Sequence, residues 1–366
     1  MAGNIFGNAL RLVTFGESHG PAVGGILEGF PAGVNIDMEA IYRMMQRRRP
    51  GTSGLVSSRA EKDEISFYSG IENGMSTGGP IAFWVYNNDK RPSDYSHLKD
   101  VFRPGHADFT YWQKYGAQAG SGGGRASARE TLARVAGGAL AAQLLLLRGI
   151  HIAAYIHRIH DISCPASWME ESTEKIELCH DKELPCPDQD VSMRMTKIIE
   201  TASENGDSLG GSIVCVINGL PPGLGEPVFD KLPALLAHAQ MSIQATRYFS
   251  WGRGWESTHL SGSQNNDAFT SDGGKISTSS NHAAGSLGGI SNGMPVFFEV
   301  GFKPVSSIAG KQKTVNKTGT PVEIEINGRH DPCVLPRAVP IVEAMASLVL
   351  ADLLLRNQTA IFTGSH

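Results

Sequence analysis

Two stretches of this chain are too apolar to be left in water. Leu132–Ile150 and Val339–Leu355 are the most hydrophobic runs in its 366 residues, and each approaches the roughly 20 residues that cross a bilayer. The first nevertheless carries Arg134, Gln143 and Arg148, and the second carries Glu343 and Asp352. Ionisable side chains are costly inside lipid, so both stretches read as helices buried in a protein core. A composition of 41% hydrophobic and 19% charged residues fits a globular chain able to enclose them. Met1 to Leu10 lacks the basic start and apolar run of a secretory signal, and the expected location is the cytoplasm.

Around these helices, short strands alternate with turns and with a few further helices. Leu10–Phe15, Gly24–Phe30, Ile65–Tyr68, Ile81–Tyr86, Ile150–Ile159, Ser212–Ile217, Val296–Phe302 and Pro321–Ile326 read as strands. Asp37 is placed to cap a helix that runs to about Arg48 and is stopped by Pro50-Gly51. Helices are also expected near Val191–Glu204 and Leu232–Met241. Ser127 and Glu130 have the spacing of a capping box at the head of the first apolar helix. Cys164–Asp190 is acidic and interrupted by proline, which predicts a surface excursion. No long repeat or dividing linker stands out, so the reading is one domain over residues 1–366, of the α+β class.

Several generic chemistries fail on spacing. Gly120–Arg125 lacks the third glycine of a dinucleotide fingerprint, and Ile276 follows Gly273-Gly274-Lys275 where a phosphate loop needs Ser or Thr. Cys164, Cys179, His180 and Cys186 form no paired CxxC units, so no metal site is expected. With Cys215 and Cys333 the cysteines number five, which argues against a disulfide framework.

What recurs instead is glycine, arginine and histidine in the same loops. Gly16-Glu17-Ser18-His19-Gly20 follows a strand, and Arg103-Pro104-Gly105-His106-Ala107-Asp108 sets a histidine beside an arginine and a carboxylate. Arg125, Ser127 and Arg129 stand at a helix start, where free N–H groups favour an anion. Gly328-Arg329-His330-Asp331-Pro332 is followed by Arg337. A net charge of −4 gives no general attraction to nucleic acid or an anionic membrane. Arginines in such loops therefore point to a small polyanion, whose phosphates and carboxylates match the guanidinium fork. The histidines titrate near neutral pH and can move protons. Other readings remain open. Arg47–Arg49 could merely neutralise a helix C-terminus. His19 and His106 could serve a flavin-independent phosphate lyase or phosphatase, and the arginine loops could belong to a non-catalytic RNA binder.

Seven motifs, in order, resemble those of the chorismate synthase family. They are Phe15-Gly16-Glu17-Ser18-His19-Gly20, Arg47-Arg48-Arg49-Pro50-Gly51, Val101 to Asp108, Gly122 to Arg125 with Ser127 to Thr131, Gly223 to Asp230, Leu287 to Gly293, and Arg329 to Cys333. The resemblance implies a β-α-β sandwich of antiparallel sheets with helices packed between them, assembled as a homotetramer. It implies the 1,4-anti elimination of phosphate from 5-enolpyruvylshikimate 3-phosphate, giving chorismate, with reduced FMN required although no net redox change occurs. Some members of the family reduce the flavin with NADPH; dependence on an external reductant is expected here. By motif, His106 would lie beside the flavin, His19 would serve the departing phosphate, and Asp331 would assist proton exchange at the flavin. Arg48, Arg129 and Arg337, with Ser18 and Ser127, would clamp the substrate. Flavin contacts would fall on Arg125, Ala126, Ser127, Gln244, Ala245, Gly288, Lys303, Pro304, Val305, Ser306, Ser307 and Arg329. The chain departs from the family pattern at Gly54, where an arginine is usual and Arg59 comes later. It departs again over Gln244–Trp251, at Ala284 in place of glycine, and at Val305 in place of a frequent threonine.

Overall fold

The computed structural model describes residues 3–51, 55, 63–87, 100–117, 121–325 and 331–360. Its first sheet comprises β1 (Ile5–Phe6), β2 (Arg11–Gly16), β3 (Ala22–Glu28), β4 (Ile65–Phe67) and, beyond a small hairpin of β5 (Ile71–Glu72) and β6 (Met75–Ser76), β7 (Ile81–Tyr86). The order is β1-β2-β3-β7-β4, antiparallel throughout. The second sheet contains β8 (His151–Ile159), β9 (Ile162–Ser163), β10 (Gly211–Asn218), β11 (Thr246–Trp251) and, after hairpins β12 (Phe269–Asp272) to β13 (Lys275–Thr278) and β14 (Ser286–Leu287) to β15 (Ile290–Ser291), β16 (Val296–Phe302). Its order is β11-β16-β10-β8-β9, also antiparallel. A last hairpin joins β17 (Gln312–Val315) and β18 (Pro321–Ile324).

Between the sheets lie α1 (Met38–Arg48), α3 (Thr131–Leu146), α6 (Leu232–Met241) and α8 (Leu335–Asn357); α2 (Asp108–Tyr115), α4 (Thr173–Glu177), α5 (Gln189–Glu204) and α7 (Gly262–Asn265) are more peripheral. α3 packs on β2 and β3 of the first sheet, α8 on β8 and β10 of the second, and the two helices pack on each other. This is the expected sandwich. A helix enclosed on both sides has no solvent face, which is why α3 and α8 lack amphipathic periodicity.

Polar and charged residues inside the apolar runs, Asp352, Glu343 and Gln143, prove to be ties to remote segments. Asp352 accepts the N–H groups of Asn8, Ala9 and Leu10 at 2.9, 2.6 and 2.9 Å, pinning the N-terminal segment to the last helix. Glu343 takes both Nη atoms of Arg47 and the N–H of Ala154. Gln143 both accepts from Asp37 N–H and donates to its carbonyl. Asp37 caps α1 as expected, accepting from Ala40 N–H at 3.0 Å.

Two expectations need revision. Ser127 caps a single 3-10 turn over Ala128–Glu130, accepting from Arg129 N–H, and α3 begins only at Thr131. Glu130 turns to Thr14 and Arg134. The stretch from Cys164 to Asp190 is not a loose excursion: α4 packs on β8 and β10, and Cys164, Thr173, Ile176, Cys179, Leu184 and Cys186 are buried. An apolar minority at Cys164, Ile176, Cys179 and Leu184 outweighs the acidic composition because it covers a sheet face.

The seam between α3 and α8 depends on one glycine. A Cβ on Gly138 would stand 2.5 Å from Ala344 Cα and 2.6 Å from its carbonyl oxygen. Gly138→Ala is expected to cost about 1–3 kcal/mol through overpacking, read as a lower denaturant midpoint at unchanged slope. A wild-type midpoint would show that the two helices can part without penalty.

Candidate active site

The loop at the head of α3 organises the site. Gly122, Gly123 and Gly124 have φ of +69°, +90° and +51°, a succession that side-chain-bearing residues rarely adopt. Their bare backbone lies against both candidate histidines. A Cβ on Gly122 would fall on the Cε1–Nδ1 edge of His19 and 3.2 Å from Ser18 Oγ, and one on Gly123 would come within 3.1 Å of His106 Cε1. His19 and His106, remote in sequence, thus flank one three-residue turn.

Each imidazole is oriented by neighbours. Ser18 Oγ lies 3.1 Å from His19 Nδ1, and Ser18 N–H reaches the carbonyl of Gly124. His106 Nδ1 is 2.8 Å from Asp108 Oδ1, the first residue of α2, and Arg103 grips the same carboxylate through Nε and Nη2, each at 2.7 Å. Burial alone would push the Asp108 carboxyl up, but the hydrogen bonds from Arg103 and His106 outweigh it and hold it far below the usual carboxylate range. Arg103 Nη2 also lies 3.0 Å from His106 Nδ1, so that edge of the ring is taken up by Arg103 and Asp108 while Nε2 lies toward Gly123.

From the histidines, contacts run round a closed circuit. Lys303 Nζ and Ser306 Oγ both donate to Gly105 O at 2.8 Å, next to His106. Val305 O accepts from Ser208 Oγ, and Leu209 N–H donates to Pro332 O, which leads to Asp331. Asp331 Oδ2 is 2.5 Å from Arg337 Nη1, and Arg337 Nε donates to Arg48 O at 3.1 Å. Arg48 and Arg129 share the carboxylate of Asp63 at 2.7 and 2.8 Å. Arg129 Nε reaches Asn87 Oδ1 at 2.5 Å, and Asn87 Nδ2 donates to Glu17 O and Gly20 O, closing on the loop of Ser18 and His19. Arg48 is 1% exposed, yet its Nε and Nη1 find no hydrogen-bond partner among the described residues. A buried guanidinium with idle donors is arranged for an anion.

Most of the expected flavin contacts converge on the same circuit. Lys303, Pro304, Val305, Ser306 and Ser307 follow β16, and Lys303 N–H donates to Ala245 O, which draws in Gln244 and Ala245. Gln244 Oε1 is buried without a partner among the described residues. Ala126 and Ser127 continue the glycine turn. The Arg125 side chain is committed elsewhere, to Thr14 Oγ1, Asn4 Oδ1 and Gly16 O, leaving its main chain as the part that faces the turn. Gly288 is not brought to this group within the chain. It tips the β14–β15 hairpin, whose Gly289 packs on Glu226 and Lys231 at the opposite end of α6 from Gln244, about 15 Å of helix away. Arg329 and His330, like Gly54 and Arg59, lie outside the described residues. Arg47 leaves the site for Glu343, beside a separate cavity of about 410 Å³. Ala284, which stands where the family pattern has glycine, takes a left-handed backbone at φ +50°.

Asp63 and Asn87 carried no signal in the sequence, whereas the carboxylate of Asp108 beside Arg103 and His106 was legible in their shared loop. Asp63 belongs to no hydrophobic pattern, and Asn87 merely ends a strand. The glycine cradle, the orphaned Arg48 donors and the unpartnered Oε1 of Gln244 are compatible with a phosphorylated, carboxylated substrate lying beside a planar polar cofactor.

The comparisons with known proteins agree on one family. Residues 10–355 match the family described as Chorismate synthase. The chain is 48% identical to a chorismate synthase of Phocaeicola vulgatus, over 97% of this chain and 99% of that protein. It is 50% identical to one of Prochlorococcus marinus, over 97% and 98%. A crystal structure of a chorismate synthase superposes with a TM-score of 0.76 at 29% identity, covering 96% of this chain and 93% of that one.

Proposed function

This chain belongs to the chorismate synthase family, and from that premise we propose that the circuit of His19, His106 and Asp331 is where its chemistry takes place. The enzyme is a lyase of the shikimate pathway, serving aromatic amino acid biosynthesis, and eliminates phosphate from 5-enolpyruvylshikimate 3-phosphate to give chorismate. The single observation that supports the placement is the triple-glycine turn packed between two oriented imidazoles, with the buried, half-unpaired Arg48 on the same circuit.

In this reading Arg48, Arg129 and Arg337, with Ser18 and Ser127, hold the phosphate and the two carboxylates of the substrate. Donors aimed at a leaving phosphate are worth roughly 3–4 kcal/mol each where comparable groups have been removed. His19, steadied through Nδ1 by Ser18, supplies a proton or hydrogen bond to the departing phosphate from its other nitrogen. His106, fixed through Nδ1 by Asp108, presents Nε2 toward the glycine turn, where it holds the protonation state of what binds there. Asp331, paired with Arg337, takes up and returns a proton at its carboxylate. The hydrogen to be removed lies on an unactivated carbon, beyond the strength of an ordinary side-chain base. The chemistry supplied by bound reduced FMN is electron density for the breaking C–O bond and a basic site for that hydrogen. Gln244, Ala245, Lys303–Ser307 and the main chain of Arg125–Ser127 are the residues that would hold it.

The same reading takes reduced flavin from an external reductant and places the enzyme in the cytoplasm as a homotetramer. Two features support the location and the assembly. α8, long and apolar enough to cross a bilayer, is 89% buried over its most apolar window. Phe15, Tyr68 and Tyr86 stand exposed on the outer face of the first sheet, available to further copies. Under anaerobic conditions, chorismate should form with pre-reduced FMN and not with oxidised FMN plus NADPH. Full turnover without any flavin would instead establish the flavin-independent lyase.

A further inference from the structure

Asp63 holds two of the arginines at once. Its Oδ2 accepts from Arg48 Nη2 at 2.7 Å and its Oδ1 from Arg129 Nη1 at 2.8 Å, with side-chain exposures of 1%, 1% and 8% for Asp63, Arg48 and Arg129. Two guanidinium planes bound to opposite oxygens of one carboxylate are fixed in separation and in tilt. Asn87 adds a second restraint, accepting from Arg129 Nε and donating to the carbonyls of Glu17 and Gly20. Arg48 is left with two buried idle donors that need an acceptor. Asp63 itself sits at φ +47°, a conformation that Asp and Asn tolerate better than most residues. Such strain persists only where the surroundings over-determine it.

We propose that Asp63, seconded by Asn87, is a positioning residue for the elimination: it sets the spacing of the Arg48 and Arg129 guanidinium groups so that they, with the idle Nε and Nη1 of Arg48, match the anionic groups of the substrate. The proposal rests on the reading that these arginines clamp substrate. It separates two effects of one carboxylate. As a charge, Asp63 offsets the two cations and weakens their pull on any anion. As a bridge, it orients them and favours only an anion of the right shape. Asp63→Asn keeps the shape and the backbone tolerance, removes the charge, and loosens the bridge. Inorganic phosphate, small and nearly isotropic, responds to charge; a rigid ring bearing a phosphate and two carboxylates responds to geometry.

The test is steady-state kinetics of the full chain, anaerobic and with pre-reduced FMN, alongside competitive inhibition by inorganic phosphate. For Asp63→Asn, kcat/KM is expected to fall about 100-fold, the scale of a small misplacement of binding groups, while the phosphate inhibition constant stays level or drops. Asn87→Ala changes no charge and is expected to lower kcat/KM about tenfold, the scale of one lost hydrogen bond to a charged group, with phosphate inhibition unchanged. It carries the test alone if Asp63→Asn does not fold. Parallel weakening of substrate and phosphate, or wild-type kinetics in the folded variants, overturns the proposal. Arg48→Ala keeps the two readings apart. If it raises KM while Asp63→Asn and Asn87→Ala are silent, only the positioning role fails; if it is itself silent, the arginine clamp fails too.

Discussion

His106→Ala should lower kcat by about 100- to 10,000-fold, the range over which a positioned acid or base normally contributes, with the fold intact. His106 is partly buried, and its ring is held by Asp108 rather than by the core, so its removal empties a polar pocket and not a packed one. The reading calls for single-turnover measurements with pre-reduced FMN, which separate chemistry from flavin binding. His19→Ala belongs to the same experiment and is expected to slow release of phosphate to a similar degree, since its Nδ1 edge lies against Ser18 and the glycine turn. Far-ultraviolet circular dichroism and thermal melts should match the wild type. If both variants turn over at the parent rate, the imidazoles take no part in the reaction and the assignment is wrong at those positions.

Gly122→Ala should be nearly as damaging although it adds one methyl group and removes no chemistry. At φ +69° the new residue is strained, and its Cβ would occupy the edge of the His19 ring. Either the turn or the imidazole must move, and displacement of a catalytic group by about 1 Å can cost about 100-fold. Gly116→Ala is the matched control: φ is +68°, but nothing lies within 4 Å of its Cβ. It should suffer only the backbone penalty of about 1–2 kcal/mol in stability, with kcat unchanged. Equal activity losses in the two variants would mean that backbone strain, and not contact with His19, is what matters.

Some of the site was readable before any coordinates. Ser18, His19, His106, Arg48, Arg129 and Arg337 all sit in motifs whose loop chemistry already spoke of anions and proton transfer, and the structure places them on one circuit of contacts. Gly288 is placed differently: its motif resembles the family's, but within this chain its hairpin, through Gly289, packs at the far end of α6. Asp63 and Asn87 had no signal at all. A carboxylate that bridges two arginines, one of them 66 residues away, leaves no trace in local spacing, because its partners are set by how two distant loops meet.

The sequence by itself determined the main strands of the two sheets, the long helices and the need for enclosure. Periodicity, the Asp37 cap and the Pro-Gly stops are local, and two runs apolar all round admit no arrangement but burial. Which charged residues inside those runs would tie down remote backbone, which histidine edges would face the triple-glycine turn, and which carboxylate would space the arginines were decided only by the tertiary structure. Those choices depend on directions and separations between elements far apart in the chain, and a linear pattern of residue types carries neither.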